Sequence, residues 1–232
     1  MTCVLADEPL DLKGIDPFTI EGNRKYLRLL ESHTGTPYSL EIPPKLIKEF
    51  GEPQLSENEP GEREVYRFTF VPSFHEPMTF RLEVSDLSKA TIHVKRLSEV
   101  GGSGHGEVEL STSVGVRGQT LERLLKALRE PRSSNPYGGL TKEHVDYFQA
   151  LDGENWYLER LVAKKYICTG VANPRFLPEG KRTVAEQGSK AFEKLDPEPF
   201  VFACTQLANA AGFDFSPHDG GLEPIKLDAP KK

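Results

Sequence analysis

Residues 64–117 read EVYRFTFVPSFHEPMTFRLEVSDLSKATIHVKRLSEVGGSGHGEVELSTSVGVR, and this stretch decides the fold. Tyr66, Phe68 and Phe70 alternate with Arg67 and Thr69, and Met78, Phe80, Leu82 and Val84 alternate with Thr79, Arg81, Glu83 and Ser85. Ala90, Ile92 and Val94 then alternate with Thr91, His93 and Lys95, and Val108, Leu110, Thr112, Val114 and Val116 alternate with Glu107, Glu109, Ser111, Ser113 and Arg117. A period of two is that of an extended strand, whose successive side chains point to opposite faces. Pro72–Pro77 and the glycines of 101–106 supply turns between the runs. Four such strands in succession predict an antiparallel meander with one apolar and one polar face.

Working outward, Leu121, Leu124, Leu125 and Leu128 recur at helical spacing behind Thr120, which serves as a cap, and Pro131 ends the run. Thr141 caps a second helical stretch carrying Val145 and Phe148 up to Leu151, and 155–162 with 164–171 predict a second hairpin rich in β-formers. The last element has Asp196 as cap, Pro197 in its first turn, Phe200, Ala203, Cys204, Leu207, Ala208 and Ala211 on one face, and Gly212 at its exit. The expected fold class is therefore α+β: an antiparallel β-meander with a second hairpin, one face covered by two or three amphipathic helices. The core domain is expected over 64–212. Residues 1–63 read as an N-terminal arm in which 26–42 fit a hairpin or a helix, Pro43–Phe50 forms a short helix closed by Gly51, and 51–64 is an acidic solvated linker. Residues 213–232 read as an extended or disordered tail.

Composition narrows the class. The chain has 232 residues and a formal charge of −6, so it is a poor neutraliser of nucleic-acid phosphates, and no nucleic-acid partner is expected. Its 37% apolar content with 18 Pro and 20 Gly predicts many turns. The most apolar window, 199–213, is shorter than the roughly 18 uninterrupted apolar residues of a membrane span, so none is expected. Val4-Leu-Ala6 resembles the end of a cleaved export signal, while the absence of a basic start and an apolar core fits a cytoplasmic protein; the expected location is cytoplasmic or, with export, periplasmic.

Familiar chemical signatures are absent. The glycines of 101–106 lie between two strands and lack the phosphate-loop spacing, and His75-Glu76 is followed by Pro77, which rules out a helical two-histidine zinc motif. Cys3, Cys168 and Cys204 match no zinc pattern; Cys168 and Cys204 form either a disulfide or two buried thiols. No metal and no cofactor are expected. His75 stands in a turn between two strands, where a side chain reaches solvent from a rigid frame. Arg67, Arg81 and His93 share the meander's polar face with Glu83, Lys95, Glu107 and Glu109, as a set of cross-strand charge pairs or as a binding groove. Trp156 is the sole tryptophan, read as core and as a binding candidate. With Trp156 and Leu158 facing the core, Glu159 becomes a partly buried carboxylate that either pairs with an arginine or acts as an acid/base.

The pattern Tyr66-Arg-Phe, Ser73-Phe-His75-x-Pro77, Arg81-Leu-Glu83, Asp152-Gly153-x-Asn-Trp156-x-Leu-Glu159, Tyr166, Pro174 and a Phe200–Leu207 helix resembles a widespread set of uncharacterised bacterial proteins over about 64–212. The resemblance implies a compact α+β domain, frequent export and no established activity. It departs from that pattern at Ile167, where a histidine is usual, and at 183–195, which reads as an insertion.

Two functions compete at this stage. One is a non-catalytic binding or interaction domain, of inhibitor or immunity type, that meets another, basic protein through the acidic segment 52–64 and the polar sheet face. The other is a small hydrolase or metal-assisted enzyme using His75, Glu83 and Glu159, which requires those three to converge on one pocket.

Overall fold

The computed structural model describes residues 42–56, 64–73, 75–86, 88–98, 106–134, 154–172, 174, 196–215 and 221–225. In chain order these form α1 (Pro44–Glu49), β1 (Glu64–Pro72), β2 (Met78–Asp86), β3 (Lys89–Leu97), β4 (Val108–Arg117), α2 (Gly118–Arg129), a 3-10 turn (Pro131–Ser134), β5 (Glu154–Val162), β6 (Lys165–Ala172), α3 (Glu198–Ala210), β7 (Phe213–Phe215) and β8 (Leu222–Pro224). The fold is α+β. Strands β1 to β6 make one antiparallel sheet in the order β4-β3-β2-β1-β5-β6, and β7 and β8 form a separate hairpin.

All four alternating runs form the meander. The second hairpin turns tightly at Ala163 and Lys164, both at positive φ (47° and 69°), as a two-residue connection between right-twisted strands demands. It adds to the sheet through β1, with Phe68 opposite Leu158 and Phe70 opposite Trp156. The meander's first strand is thereby internal. Helices α2 and α3 close the apolar face, where Leu121, Leu124, Leu125, Leu128, Phe200, Ala203, Cys204 and Leu207 pack on Phe68, Phe80, Leu82, Ile92 and Trp156.

The core is wider than 64–212 on both sides. Residues 42–56 form a roof over the other sheet face: Ile42, Leu46, Ile47 and Phe50 pack on Leu97 and Tyr157, and Leu55 packs on Val65 and Leu161. The central strands present these apolar side chains among the polar ones, so that face also has to be covered. The expected solvated linker is thus, as far as Ser56, a covering segment that buries Glu52 and Leu55 against the sheet, and Glu64 belongs to β1. At the other end, Phe213 packs on Phe80 and Phe215 on Trp156 and Phe70, so the start of the expected tail is core.

Helix starts differ in detail. The Arg117 and Pro197 positions precede α2 and α3 with no side-chain cap bond, so neither Thr120 nor Asp196 caps. Asp196 instead faces Arg132 at 3.4 Å. The exits match expectation: Gly51 (φ +59°) and Gly212 (φ +86°) adopt the left-handed conformation that lets the chain leave a helix.

Cys168 and Cys204 are not bonded to one another. Cys168 lies opposite Glu159 on the roofed face, whereas Cys204 is on the buried side of α3, which packs on the other face, so a layer of sheet separates the two thiols. Cys3, the ambiguous 26–42 except for Ile42, the acidic residues 57–63, the glycine loop 101–105 and the expected helix of 141–151 lie outside the described residues.

Candidate functional site: a charge lattice beneath the N-terminal roof

Strand register sets Ser113, His93, Arg81, Arg67, Glu159 and Cys168 in one transverse row across all six strands, on the face that 42–56 covers. Two arginines directly opposite on β1 and β2 repel, and burial strengthens the repulsion. Carboxylates from three places resolve it. Glu159, one strand over, accepts a bidentate pair from Arg67, with Nε 2.5 Å from Oε2 and Nη2 2.7 Å from Oε1. Glu52, from the roof, accepts from Arg81 Nε at 2.5 Å through Oε2, the same oxygen that lies 3.8 Å from Arg67 Nη1. Glu83 accepts from Arg81 Nη1.

Lys95 completes the set. Its Nζ donates to the carbonyl oxygens of Phe50 and Gly51, each at 2.9 Å, and lies 3.0 Å from Glu52 Oε1, off the direction of a hydrogen bond. That last contact is one of charge. Two further donors are used: Arg67 Nη1 donates to the Pro53 carbonyl at 2.7 Å, and the Tyr166 hydroxyl donates to Glu159 Oε1 at 3.0 Å. Burial and the neighbouring Cys168 and Glu159 raise the Tyr166 phenol far above its ordinary range, so it stays a donor.

Local chain geometry explains how Glu52 gets there. α1 ends at Phe50, Gly51 reverses the chain in a left-handed conformation, and the Glu52 amide donates to Ile47 O at 3.0 Å. That turn aims a carboxylate down into the sheet directly after the apolar residues that anchor the helix. Three cations and three carboxylates then meet in one layer, and the buried end of it is sealed, with Arg67 fully buried and Glu159 1% exposed.

The lattice opens towards β4. Side-chain exposure rises from 11% at Arg81 to 30% at His93 and 35% at Glu83. His93 Nδ1 is 3.0 Å from Ser113 Oγ, and its Nε2 is 3.8 Å from Glu83 Oε2, beyond a direct hydrogen bond. Partial burial, then the nearby Arg81 and Lys95 charges against the opposing pull of Glu52, hold the His93 imidazole below its ordinary pKa.

The three expected catalytic groups do not converge. Glu159 pairs across from Arg67, and the turn bearing His75 begins beyond Pro72, five residues further, about 17 Å at ~3.3 Å per strand residue. There the imidazole lies over the backbone of Gly221, where an added Cβ would come within 3.1 Å of Nδ1. It borders a polar cleft of about 220 Å³ with Glu76, Arg96 and Glu223, remote from both Glu83 and Glu159. Of the expected binding residues, Arg67, Arg81 and His93 share the lattice row. Trp156 lies on the opposite face, stacked on Phe215 at 4.7 Å and 8° and tilted against Phe68 at 5.1 Å.

Glu52 and Tyr166 are lattice members that the sequence reading missed. A signal existed for Glu52, because an amphipathic helix closed by Gly51 implies a surface beneath it. Among the described residues, no three His, Cys, Asp or Glu side chains are grouped to hold a metal, and no helix is long and apolar enough to cross a membrane. No family model matches this chain, and no curated protein matches its sequence.

Proposed function

We propose that the protein is a non-catalytic binding domain that recognises another protein through the open end of the charge lattice. The observation that carries this reading is the engagement of Glu83 and Glu159: each accepts hydrogen bonds from arginine, and His75 stands apart from both. A carboxylate held by a guanidinium orients and stabilises rather than shuttling protons. At the open end, Glu83, His93 and Ser113 present an acceptor, an imidazole and a hydroxyl on rigid strands, a polar surface of mixed charge suited to a protein partner.

The acidic contact expected over 52–64 changes character. Glu52 is buried under the roof and Glu64 is held by Arg129, with Oε1 2.8 Å from Nε and Oε2 2.6 Å from Nη2. These two carboxylates are engaged within the protein, and Glu57, Glu59 and Glu62 lie outside the described residues, so the described part of the proposed recognition surface is the β2–β3–β4 corner. An inhibitor or immunity role remains the preferred subtype, for a partner that presents both donors and acceptors.

The test is capture from host cells by the immobilised protein, comparing wild type with the Glu83→Ala/His93→Ala variant. A stoichiometric partner whose retention falls about tenfold or more in the variant supports the reading. Equal recovery of every partner, or a hydrolytic activity abolished by His75→Ala, contradicts it.

A further inference from the structure

The cleft beside His75 is built from three elements that the core holds in place. The Leu97 amide donates to Pro77 O at 3.1 Å and Arg96 lies opposite Met78, so the end of β3 is fixed against the turn that carries His75 and Glu76. The β7–β8 hairpin forms the third side, anchored where Phe213 packs on Phe80. Gly221 leaves room for the His75 imidazole to lie against the hairpin backbone, a close approach that a larger residue would crowd. The resulting cavity of about 220 Å³ is smaller than the roughly 300–1,000 Å³ of pockets that take drug-sized ligands. Its charges are not neutralised internally. Arg96, Glu76 and Glu223 all border it, yet among the described residues neither carboxylate pairs with the guanidinium or with any other side chain. Arg96 has one contact, 3.4 Å from Nη2 to the half-exposed Glu109, and its Nε is enclosed without an acceptor.

We propose that this cleft binds a free α-amino acid, its carboxylate on Arg96 and its ammonium on Glu76 and Glu223. Opposite charges that border one small cavity without meeting leave both a cation and an anion for an occupant to satisfy, and a zwitterion satisfies both at once. A guanidinium offers parallel N–H donors to a carboxylate, while an ammonium offers three donors to the acceptors around it. A simple carboxylate would leave the two glutamates unanswered, a simple amine would leave Arg96, and a phosphate would set a second negative charge beside Glu76 and Glu223. The buried Met78 and Leu222 also line the cleft, an apolar seat for the carbon frame of the ligand. The cleft shares no residue with the Glu83–His93–Ser113 corner.

Isothermal titration calorimetry of the full chain against each of the proteinogenic amino acids tests this. At least one is expected to bind saturably at a single site. The carboxamide of that amino acid, which lacks the negative charge, and its N-acetyl derivative, which lacks the positive one, are each expected to bind about tenfold or more weakly. Arg96→Gln and the double variant Glu76→Gln/Glu223→Gln are expected to lose about as much affinity for the unmodified amino acid, with thermal melts like those of wild type. The comparison of analogues uses the wild-type protein alone, so it decides the matter even if a variant misfolds. Absence of saturable binding by every amino acid, equal binding of either analogue, or wild-type affinity in either folded variant overturns the proposal.

Discussion

Removing the Glu52 charge leaves Arg81 and Lys95 beneath the roof without the carboxylate whose two oxygens they face, and Arg67 loses a neighbouring negative charge. Glu52→Gln is therefore expected to destabilise the protein by about 3 kcal/mol, measured by urea unfolding, since breaking a buried ion pair strands its partner. A change within experimental error would show that the roof does not depend on this contact. His93 gives the residue-scale pH dependence. Its folded pKa lies below the ordinary 6.5, so at mildly acid pH the unfolded chain binds the proton more readily than the native one. The associated stability is complete above about 6.5 and lost as the pH falls through the folded value. Thermal melts between pH 7 and pH 5 are expected to show a decline in Tm that is smaller in His93→Gln; identical declines would remove His93 as a contributor.

At the scale of elements, the short β7–β8 hairpin contributes more than its length suggests. Phe213 packs edge-on against Phe80 at 5.6 Å, and Phe215 stacks on Trp156 while contacting Phe70 edge-on at 5.5 Å. Phe213→Ala, which truncates a buried ring, is expected to lose roughly 3–5 kcal/mol, in the range of a large-to-small core change, and the Phe213→Ala/Phe215→Ala variant more. Because Trp156 is the only tryptophan, its fluorescence reports the same event, with emission shifted to the red as water reaches the indole. Unchanged emission and stability would contradict the stack. The hairpin's polar side borders the His75 cleft, so the same element joins an aromatic core to a polar rim.

Across the whole molecule, what was legible in the sequence followed from local periodicity. The alternation of 64–117 defines four strands because residues two apart share a face, and the leucines of 121–128 define α2 because three- and four-residue spacing does the same on a helix. Of the roof, the short helix was legible from Pro43–Phe50 and Gly51, but its docking on the sheet was not, since it has only six residues and the segment after it is acidic, which masks the few apolar side chains that anchor it. The lattice was legible only in part: alternation places Arg67, Arg81 and His93 together, but which carboxylate neutralises which arginine depends on strand order, and β5 pairs not only with its chain neighbour β6 but also with the distant β1. Caps failed for a related reason, because the strand running into α2 sets that helix's start instead of Thr120. The same strand order also governs biosynthesis. Arg67 is translated 92 residues before Glu159. At about 5–20 residues per second the nascent chain waits about 5–20 s for that counter-ion, with the outer edge of β1 unpaired by β5 throughout.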